Sequence, residues 1–372
     1  MITQNNQNMV TRTQNLPEKY HNIDDIELID RIQKIKSKLG KRLVILGHHY
    51  QRKEVVALAD FKGDSFQLSR IASQQAEAKY IIFCGVRFMA ESAAVLARPD
   101  QVVIHPDVDA GCPMAELAPI DKVTASWEKM SEDLGSKKVT PVLYINSDVE
   151  LKAFVGRHGG TICTSSNANK AIQWGLQQGD KVFFLPDKNL GLNTARQLAL
   201  PPEQVLTLNS ATDTTYLTSE EYSLPAFHQA KLILWNGYCH VHTWFRAEQV
   251  KKFRQKYPQA KVVVHPECNE EVVQLADAVG STKFIVEYVQ QAPSGTVIVI
   301  GTELNLVSRL ADENPDKTIL PLAVSPCPNM WKISLNDLYW VLDNLGEVNV
   351  VTIPKEIKND AQTALQRMMK LE

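Results

Sequence analysis

The chain has 372 residues, which exceeds the size at which a single hydrophobic core usually stops growing, so two or three domains are expected. Its 44% hydrophobic and 22% charged residues are typical of an ordinary soluble protein. Because 40 basic residues nearly balance 42 acidic ones, the net charge of -2 gives no general attraction for nucleic acid or an anionic membrane. Small, near-neutral partners are therefore favoured.

The amino-terminal segment, residues 1–22, is rich in Asn, Gln and Thr and predicts a flexible tail. It lacks the basic start and apolar run of a signal peptide, and no stretch approaches the roughly 20 apolar residues of a membrane span. We therefore expect a cytoplasmic protein. In that reducing compartment, the six cysteines are expected to be free, catalytic or metal-bound rather than paired in disulfides.

One pattern then occurs three times along the chain: an apolar strand with a polar tip, a Ser or Thr before a helix, two more apolar strands, and a cysteine. In the first copy, the predicted strands are 43–46, 80–84 and 102–104, and Cys112 follows. In the second they are 142–145, 182–185 and 232–235, and Cys239 follows. In the third they are 262–264, 297–300 and 319–322, and Cys327 follows.

The spacing within the copies is also similar. From the polar tip to the Ser or Thr, the separation is 17, 19 and 17 residues for the pairs His48–Ser65, Asn146–Ser165 and His265–Thr282. From the tip to the cysteine it is 64, 93 and 62 residues. The excess in the second copy lies in residues 201–229, whose Pro, Ser and Thr content predicts a surface insertion.

Short, fully apolar strands that alternate with helices are typical of parallel sheets covered on both faces. We therefore expect an α/β fold of three small sandwich domains related by a pseudo-threefold axis, with their cysteines meeting at a central site. The predicted segments are residues 23–122, 123–243 and 244–334, followed by a helical segment at 335–372. The alternative is that ordinary strand–helix alternation only imitates a repeat.

Ser65, Ser165 and Thr282 each lie near the start of a predicted helix. A hydroxyl there can cap the helix, and the free backbone N–H groups can bind phosphate or carboxylate. Capping would explain any one of these residues alone. Three at matched offsets favour an anionic ligand.

Polar side chains occur at the end of the first strand in every copy. They are His48, His49, Tyr50, Tyr144, Asn146, His265 and Glu267. Imidazole, phenol and carboxylate groups can transfer protons, and Asn supplies a hydrogen-bond donor for developing charge. Any one of them could be structural, which is the interpretation we favour for His49. Because ligands of open α/β units collect at the carboxyl ends of strands, we expect the group to line one pocket.

Three cysteines are separate from the repeated pattern. Cys84 and Cys163 lie in or beside apolar strands and are interpreted as small buried hydrophobic residues, whereas Cys268 is ambiguous because it follows Glu267. No Cys-x-x-Cys spacing occurs, which argues against a zinc ribbon or a ferredoxin-like carrier. The remaining three thiolates could still hold a four-iron cluster whose fourth iron accepts a substrate oxygen as a Lewis acid. Dehydration or condensation suits such a site better than electron transfer.

An ordered set of motifs resembles the quinolinate synthase family. The motifs are Gly47-His48-His49-Tyr50-Gln51, Gly63-Asp64-Ser65, Gly85-Val86-Arg87-Phe88-Met89-Ala90-Glu91, Tyr144-Ile145-Asn146, Thr164-Ser165-Ser166-Asn167-Ala168, Pro186-Asp187-Lys188-Asn189-Leu190-Gly191, His265-Pro266-Glu267 and Cys327-Pro328-Asn329-Met330. The resemblance extends from about Leu43 to Met330.

The resemblance implies three related α/β domains around a central [4Fe-4S] cluster held by Cys112, Cys239 and Cys327, with one iron open to substrate. It implies a transferase that condenses iminoaspartate with dihydroxyacetone phosphate, losing phosphate and water, to give quinolinate for NAD biosynthesis. An iminoaspartate-producing enzyme would then supply one substrate. The protein would act as a monomer or a homodimer.

The resemblance also assigns roles to individual residues. The family's substrate-binding positions fall on His48, Ser65, Tyr144, Ile145, Asn146, Ser165, His265, Pro266, Glu267 and Thr282. The candidates for proton transfer are Tyr50, Tyr144, His48 and Glu267. Which of them serves which step is left open by the sequence.

Two other functions stay open on the residues alone. An iron–sulfur hydro-lyase acting on another small carboxylate would use the same open iron. A non-catalytic iron–sulfur sensor would need a basic helix or a partner-binding module, and the even charge distribution supplies neither.

Overall fold

The computed structural model describes residues 16–134, 138–208 and 225–371. In these ranges helices alternate with short strands, and the ladders that build the three sheets are parallel. The chain divides into two compact units. The first contains the residues up to Gly111 together with Pro328–Lys358, and the second contains Cys112–Cys327 together with Asn359–Glu372.

The first unit contains one sheet in the order β2-β1-β3-β4. Its strands are β1 (Leu43–His48), β2 (Phe61–Gly63), β3 (Tyr80–Cys84) and β4 (Val102–Ile104). Its helices of five or more residues are Asp25–Leu39, Lys53–Ala57, Ser65–Gln74, Arg87–Leu96, Pro328–Lys332 and Leu335–Asp343. All six residues of β1 are buried, which explains why this strand reads as a continuous apolar run instead of an alternating one.

Part of the amino-terminal segment packs on this unit. Tyr20 ends the short 3-10 helix Glu18–Tyr20 and is buried, and its hydroxyl donates to Asp343 Oδ2 at 2.8 Å. The Asn336 side chain donates to the Tyr20 carbonyl oxygen at 2.6 Å. The carboxyl end of the predicted flexible tail is therefore fixed by a buried aromatic ring, while residues 1–15 of that tail lie outside the described residues.

The second unit contains two sheets, the first of which has the order β6-β5-β7-β9-β8. Its strands are β5 (Val139–Tyr144), β6 (Thr161–Cys163), β7 (Lys181–Leu185), β8 (Val205–Thr207) and β9 (Leu232–Leu234). The associated helices are Pro113–Glu116, Ile120–Leu134, Val149–Arg157, Ala168–Gln178, Lys188–Gln197, Pro225–Gln229 and His240–Thr243.

The other sheet of this unit has the order β11-β10-β12-β13. Its strands are β10 (Lys261–Val264), β11 (Ala278–Val279), β12 (Val297–Gly301) and β13 (Thr318–Pro321). Its helices are Ala247–Lys256, Glu270–Leu275, Thr282–Gln291 and Leu304–Glu313. From Asn359 onward, the carboxyl-terminal helix Lys355–Lys370 also belongs to the second unit, where Arg367 donates to the carbonyl oxygen of Gly160 at 2.6 Å.

The three sheets share one topology, and the predicted α/β class with parallel sheets is confirmed. Counted in chain order within each sheet, the first strand pairs with the second strand on one side and with the third strand on the other. The third strand also pairs with the last strand. The second sheet adds β8 at its edge, inside the predicted insertion at residues 201–229. Residues 209–224 of that insertion lie outside the described residues.

No helix in the described ranges has both the length and the apolar character needed to span a bilayer.

Candidate active site and metal centre

Two strand ends in the second unit carry most of its predicted site residues. These residues are Tyr144, Ile145 and Asn146 at the end of β5, and His265, Pro266 and Glu267 after β10. All are buried except Asn146, which is partly buried. The buried Asn193 holds the turn after β10, because its Nδ2 donates to the carbonyl oxygens of Pro266 at 2.8 Å and Cys268 at 2.9 Å.

His242 joins these residues, although sequence reasoning did not select it. Its Nδ1 lies 2.7 Å from Glu267 Oε2 and its Nε2 lies 3.1 Å from Thr302 Oγ1. Its ring stacks on His265 with the centroids 4.3 Å apart and an interplanar angle of 18°. The available signal was the position of His242 three residues after Cys239, which places both residues on one face of a helical turn.

The surroundings of Glu267 and His265 fix their charge states. Burial raises the pKa of the Glu267 carboxyl, but the adjacent His242 and His265 and hydrogen bonds from His242 and Tyr144 outweigh burial and bring the pKa to about 2. Burial lowers the pKa of His265 to about 3, with repulsion from His242 adding to the effect and Glu267 opposing it. Near pH 7, Glu267 is therefore an anion and His265 is neutral.

The neutral ring of His265 presents a hydrogen-bond donor. The backbone N–H of Glu267 donates to His265 Nδ1 at 3.3 Å, so the ring proton is assigned to Nε2. The first unit repeats this turn after β1, where the backbone N–H of Tyr50 donates to His48 Nδ1 at 3.1 Å. The His48 and Tyr50 rings meet edge to face at 4.8 Å. His49 is buried, and its backbone N–H donates to the Gly63 carbonyl oxygen at 3.1 Å.

The predicted Ser and Thr residues do not cap their helices. The N-cap residues are Asp64 for helix Ser65–Gln74, Asn167 for Ala168–Gln178 and Ser281 for Thr282–Gln291. The capping explanation was wrong because polar neighbours hold those positions, and Ser65 and Thr282 are instead the first helical residues. A role in ligand binding remains the prediction for them.

A cavity of about 360 Å³ in the second unit brings two predicted substrate residues together. Ser165 and Pro266 line it, along with Ser281 and Lys283. Thr282, which lies between Ser281 and Lys283 in the sequence, is buried. Glu287 also lines the cavity and lies 3.8 Å from the Lys283 ammonium group, so the wall combines hydroxyl groups with an ion pair and suits a small polar ligand.

The three cysteines of the repeated pattern all belong to the second unit. Cys112 and Cys239 interact electrostatically with each other and with Cys327. Each cysteine directly precedes a short helix; the helices are Pro113–Glu116, His240–Thr243 and Pro328–Lys332. The backbone N–H groups of Ala115 and Met114 favour the thiolate form of Cys112, and that of His242 favours the thiolate form of Cys239.

The donor set fits an iron–sulfur cluster with three thiolate ligands. Burial raises the pKa of Cys112 to about 12 and that of Cys239 well above its usual range, and Glu267 and the neighbouring thiols add to both shifts. Converging thiolates beside a carboxylate repel one another unless a cationic core compensates their charge, and soft sulfur ligands select iron–sulfur clusters or zinc. Ligand atoms of Cys239, His242 and Glu267 also lie within 4.8 Å of one another, so this group could hold a single ion.

The other cysteines lack this arrangement. Cys84, Cys163 and Cys268 are fully buried. The thiol of Cys268 donates to the carbonyl oxygen of Gly301 at 3.6 Å, and burial, with Glu267 adding to it, raises its pKa well above the usual range. These contacts favour a structural role for Cys268.

Residues 30–370 match a protein family described as quinolinate synthetase A protein. The chain is 44% identical to the quinolinate synthase of Geobacillus thermodenitrificans, over 96% of this chain and 97% of that relative. It is 46% identical to the quinolinate synthase of Herpetosiphon aurantiacus, over 95% of each chain. It is 44% identical to the quinolinate synthase of Corynebacterium glutamicum, over 96% of this chain and 91% of that relative. The matched region includes all three sheets and all three cysteines of the pattern.

Proposed function

This chain belongs to the quinolinate synthase family and is an enzyme of that kind, and we propose that it condenses iminoaspartate with dihydroxyacetone phosphate to form quinolinate. The reaction releases phosphate and water and contributes to NAD biosynthesis. A [4Fe-4S] cluster bound by Cys112, Cys239 and Cys327 is its proposed cofactor.

The observation that carries the proposal is the convergence of these three cysteines beside Glu267. They come from sequence positions more than 80 residues apart, yet their thiols influence one another and Glu267 influences Cys112 and Cys239. When bound, the cluster would supply an iron with an open position that acts as a Lewis acid on a substrate oxygen.

The residues around Glu267 supply acid–base groups for the condensation. Carbon–carbon and carbon–nitrogen bond formation requires protons to leave carbon and nitrogen and to reach departing oxygen. The ionised Glu267 carboxylate, held by His242 at 2.7 Å, is a base at neutral pH, and the Tyr144 hydroxyl that donates to it can relay a proton. His265 is neutral and can donate a hydrogen bond from Nε2 to an anionic substrate group.

The proposed substrates carry carboxylate and phosphate groups that need polar partners. Ser165 and Lys283 line the cavity described above, and Thr282 lies at the start of the adjacent helix. The buried Oδ1 atom of Asn146 has no hydrogen-bond partner in the described part of the chain, so it can accept from a substrate N–H or O–H group. His48, Tyr50 and Ser65 of the first unit are assigned to the same reaction by the family resemblance.

The test of the cofactor uses matched cysteine variants. Anaerobically purified protein is expected to contain about four iron and four sulfide ions per chain. Cys112→Ala, Cys239→Ala and Cys327→Ala should each lose the cluster, whereas Cys163→Ala should keep it because Cys163 is a buried strand residue distant in sequence from all three. Retention of the complete cluster by all three ligand variants would contradict the assignment.

The test of the reaction separates the three candidate functions. Protein with an intact cluster is incubated anaerobically with iminoaspartate and dihydroxyacetone phosphate, and quinolinate and phosphate are measured. The synthase should form both products in equal amounts. A hydro-lyase or a sensor would form neither, and either result would refute the proposed function.

A further inference from the structure

One backbone contact ties the cysteine loop to the core in all three copies of the repeat. In each copy a helix follows the third strand, and the backbone N–H of its first residue is the donor. The acceptor is the backbone carbonyl oxygen of the residue two positions before the cysteine. The three donor–acceptor pairs are Arg87 with Ala110 at 2.8 Å, Lys188 with Gly237 at 2.8 Å, and Leu304 with Ser325 at 3.2 Å. The residue preceding each donor therefore lies next to the loop that leads to the cysteine.

In the third copy that preceding residue is Glu303, and its side chain makes a second link. Glu303 is fully buried, and its Oε2 accepts from the backbone N–H of Asn305 at 2.7 Å, which caps the helix Leu304–Glu313. Its Oε1 accepts from the backbone N–H of Cys327 at 3.1 Å. One carboxyl group thus joins a helix start to a proposed cluster ligand.

In the second copy Asp187 occupies the equivalent position. It is also fully buried, and its Oδ1 accepts from the Leu190 N–H at 2.7 Å. Burial and the neighbouring Glu267 raise the pKa of Asp187 well above its usual range, and its Oδ2 has no hydrogen-bond partner among the described residues. The backbones approach closely here, because a Cβ atom on Gly237 would lie 2.5 Å from the Pro186 carbonyl oxygen.

The first copy provides an internal comparison. Its equivalent residue is Val86, whose side chain has no hydrogen-bond acceptor for the backbone of Cys112. The backbone contact is common to all three copies, whereas the acidic side chain is restricted to the loops of Cys239 and Cys327. The backbone contact thus forms in the first copy without an acid, and in the described part of the chain Glu303 is the acid that also accepts from the backbone of a cysteine.

We propose that Glu303 is a positioning residue that fixes Cys327 for metal binding by accepting a hydrogen bond from the backbone N–H of Cys327. This inference rests on the proposed cluster. Partners that orient metal ligands commonly contribute 10- to 100-fold to metal affinity, so loss of the Glu303 carboxylate should weaken cluster retention without removing a ligand.

The test uses Glu303→Gln, which keeps the size of the side chain and one acceptor for the helix start. Asp24→Asn is the matched control, because Asp24 caps helix Asp25–Leu39 through the Ile26 N–H at 2.9 Å and lies in the first unit. Each protein is reconstituted anaerobically, and the release of iron to an excess of chelator is followed by absorbance. Circular dichroism of the apo-proteins reports folding, and electron paramagnetic resonance of the reduced cluster reports ligand geometry.

We expect Glu303→Gln to fold and to release iron about tenfold faster than wild type or more, with an altered resonance spectrum, while Asp24→Asn behaves as wild type. A wild-type release rate in Glu303→Gln would overturn the positioning role. An apo-variant that does not fold would also overturn it, because a positioning role leaves the helix caps intact. A wild-type protein that binds no cluster would instead refute the proposed function on which this role depends.

Discussion

His105 makes the stability of the first unit sensitive to mild acid. It follows β4 and is fully buried, with Nε2 2.8 Å from the carbonyl oxygen of Gly85. Its Nδ1 has no hydrogen-bond partner in the part of the chain that the structure describes. Burial is the largest influence and lowers the pKa of His105 from 6.5 to about 4, with the Gly85 carbonyl opposing this shift and Arg87 adding to it. A second proton would therefore create a buried cation without a partner.

The size of the effect follows from the two pKa values. In the unfolded chain His105 binds a proton as the pH falls through about 6.5, whereas in the folded protein it does so only near 4. Between these values the unfolded state holds more protons, so the free energy of unfolding decreases as the pH decreases. From pH 7 to pH 5 the loss due to His105 is about 2 kcal/mol.

The assay compares wild type with His105→Gln, whose amide can donate to the Gly85 carbonyl but does not titrate. Urea unfolding of the whole chain at pH 7 and pH 5, monitored by circular dichroism and fluorescence, gives the change in the free energy of unfolding for each protein. Other titrating groups contribute equally to both proteins and cancel in the comparison. Wild type should lose about 2 kcal/mol more than His105→Gln over this interval. Equal losses in the two proteins would show that His105 is not held neutral by burial.

Two further substitutions test the second unit. Glu267→Gln should lower kcat by about 10²- to 10⁴-fold with little change in KM, because the amide keeps the shape of the side chain but cannot act as a base. Steady-state quinolinate formation measures both constants. An unchanged kcat would exclude Glu267 as the base. Gly156→Ala should lower the melting temperature measured by circular dichroism, because the added methyl group would overlap the backbone carbonyl of Asp360. Overpacking of this kind costs about 1–3 kcal/mol. A raised melting temperature would mean that the higher helix propensity of Ala outweighs this cost.

The repeated architecture could be predicted because its signal is local. Central strands such as β1 and β12 are buried along nearly their whole length, so they appear in the sequence as apolar runs at regular distances from a cysteine. The short edge strands could not be predicted from the sequence. β11 has two residues and β2 has three, which is too few for a periodic pattern to be distinguished from a loop.

The network around Glu267 could be predicted only in part, for a different reason. Glu267 follows a strand in a recognisable motif, but its partner His242 lies 25 residues away in the sequence, and Thr302, which contacts His242, lies 60 residues from that histidine. These residues come into contact through the packing of the third sheet, and no local periodicity in the sequence predicts that contact. The shift of the helix caps from Ser65 and Thr282 to Asp64 and Ser281 has a simpler cause, since adjacent polar residues compete for one position.

The strand order that the three sheets share is compatible with different side chains in each copy. The contacts shared by the copies use backbone atoms, as in the N–H of each helix start that donates to the loop before a cysteine, so they tolerate different side chains. The turn after β1 and the turn after β10 likewise share a backbone hydrogen bond to a histidine, yet one presents Tyr50 and the other Glu267. Because the shared geometry does not depend on these side chains, all three copies can carry a cysteine of the proposed metal centre while only some copies carry the proposed acid–base groups.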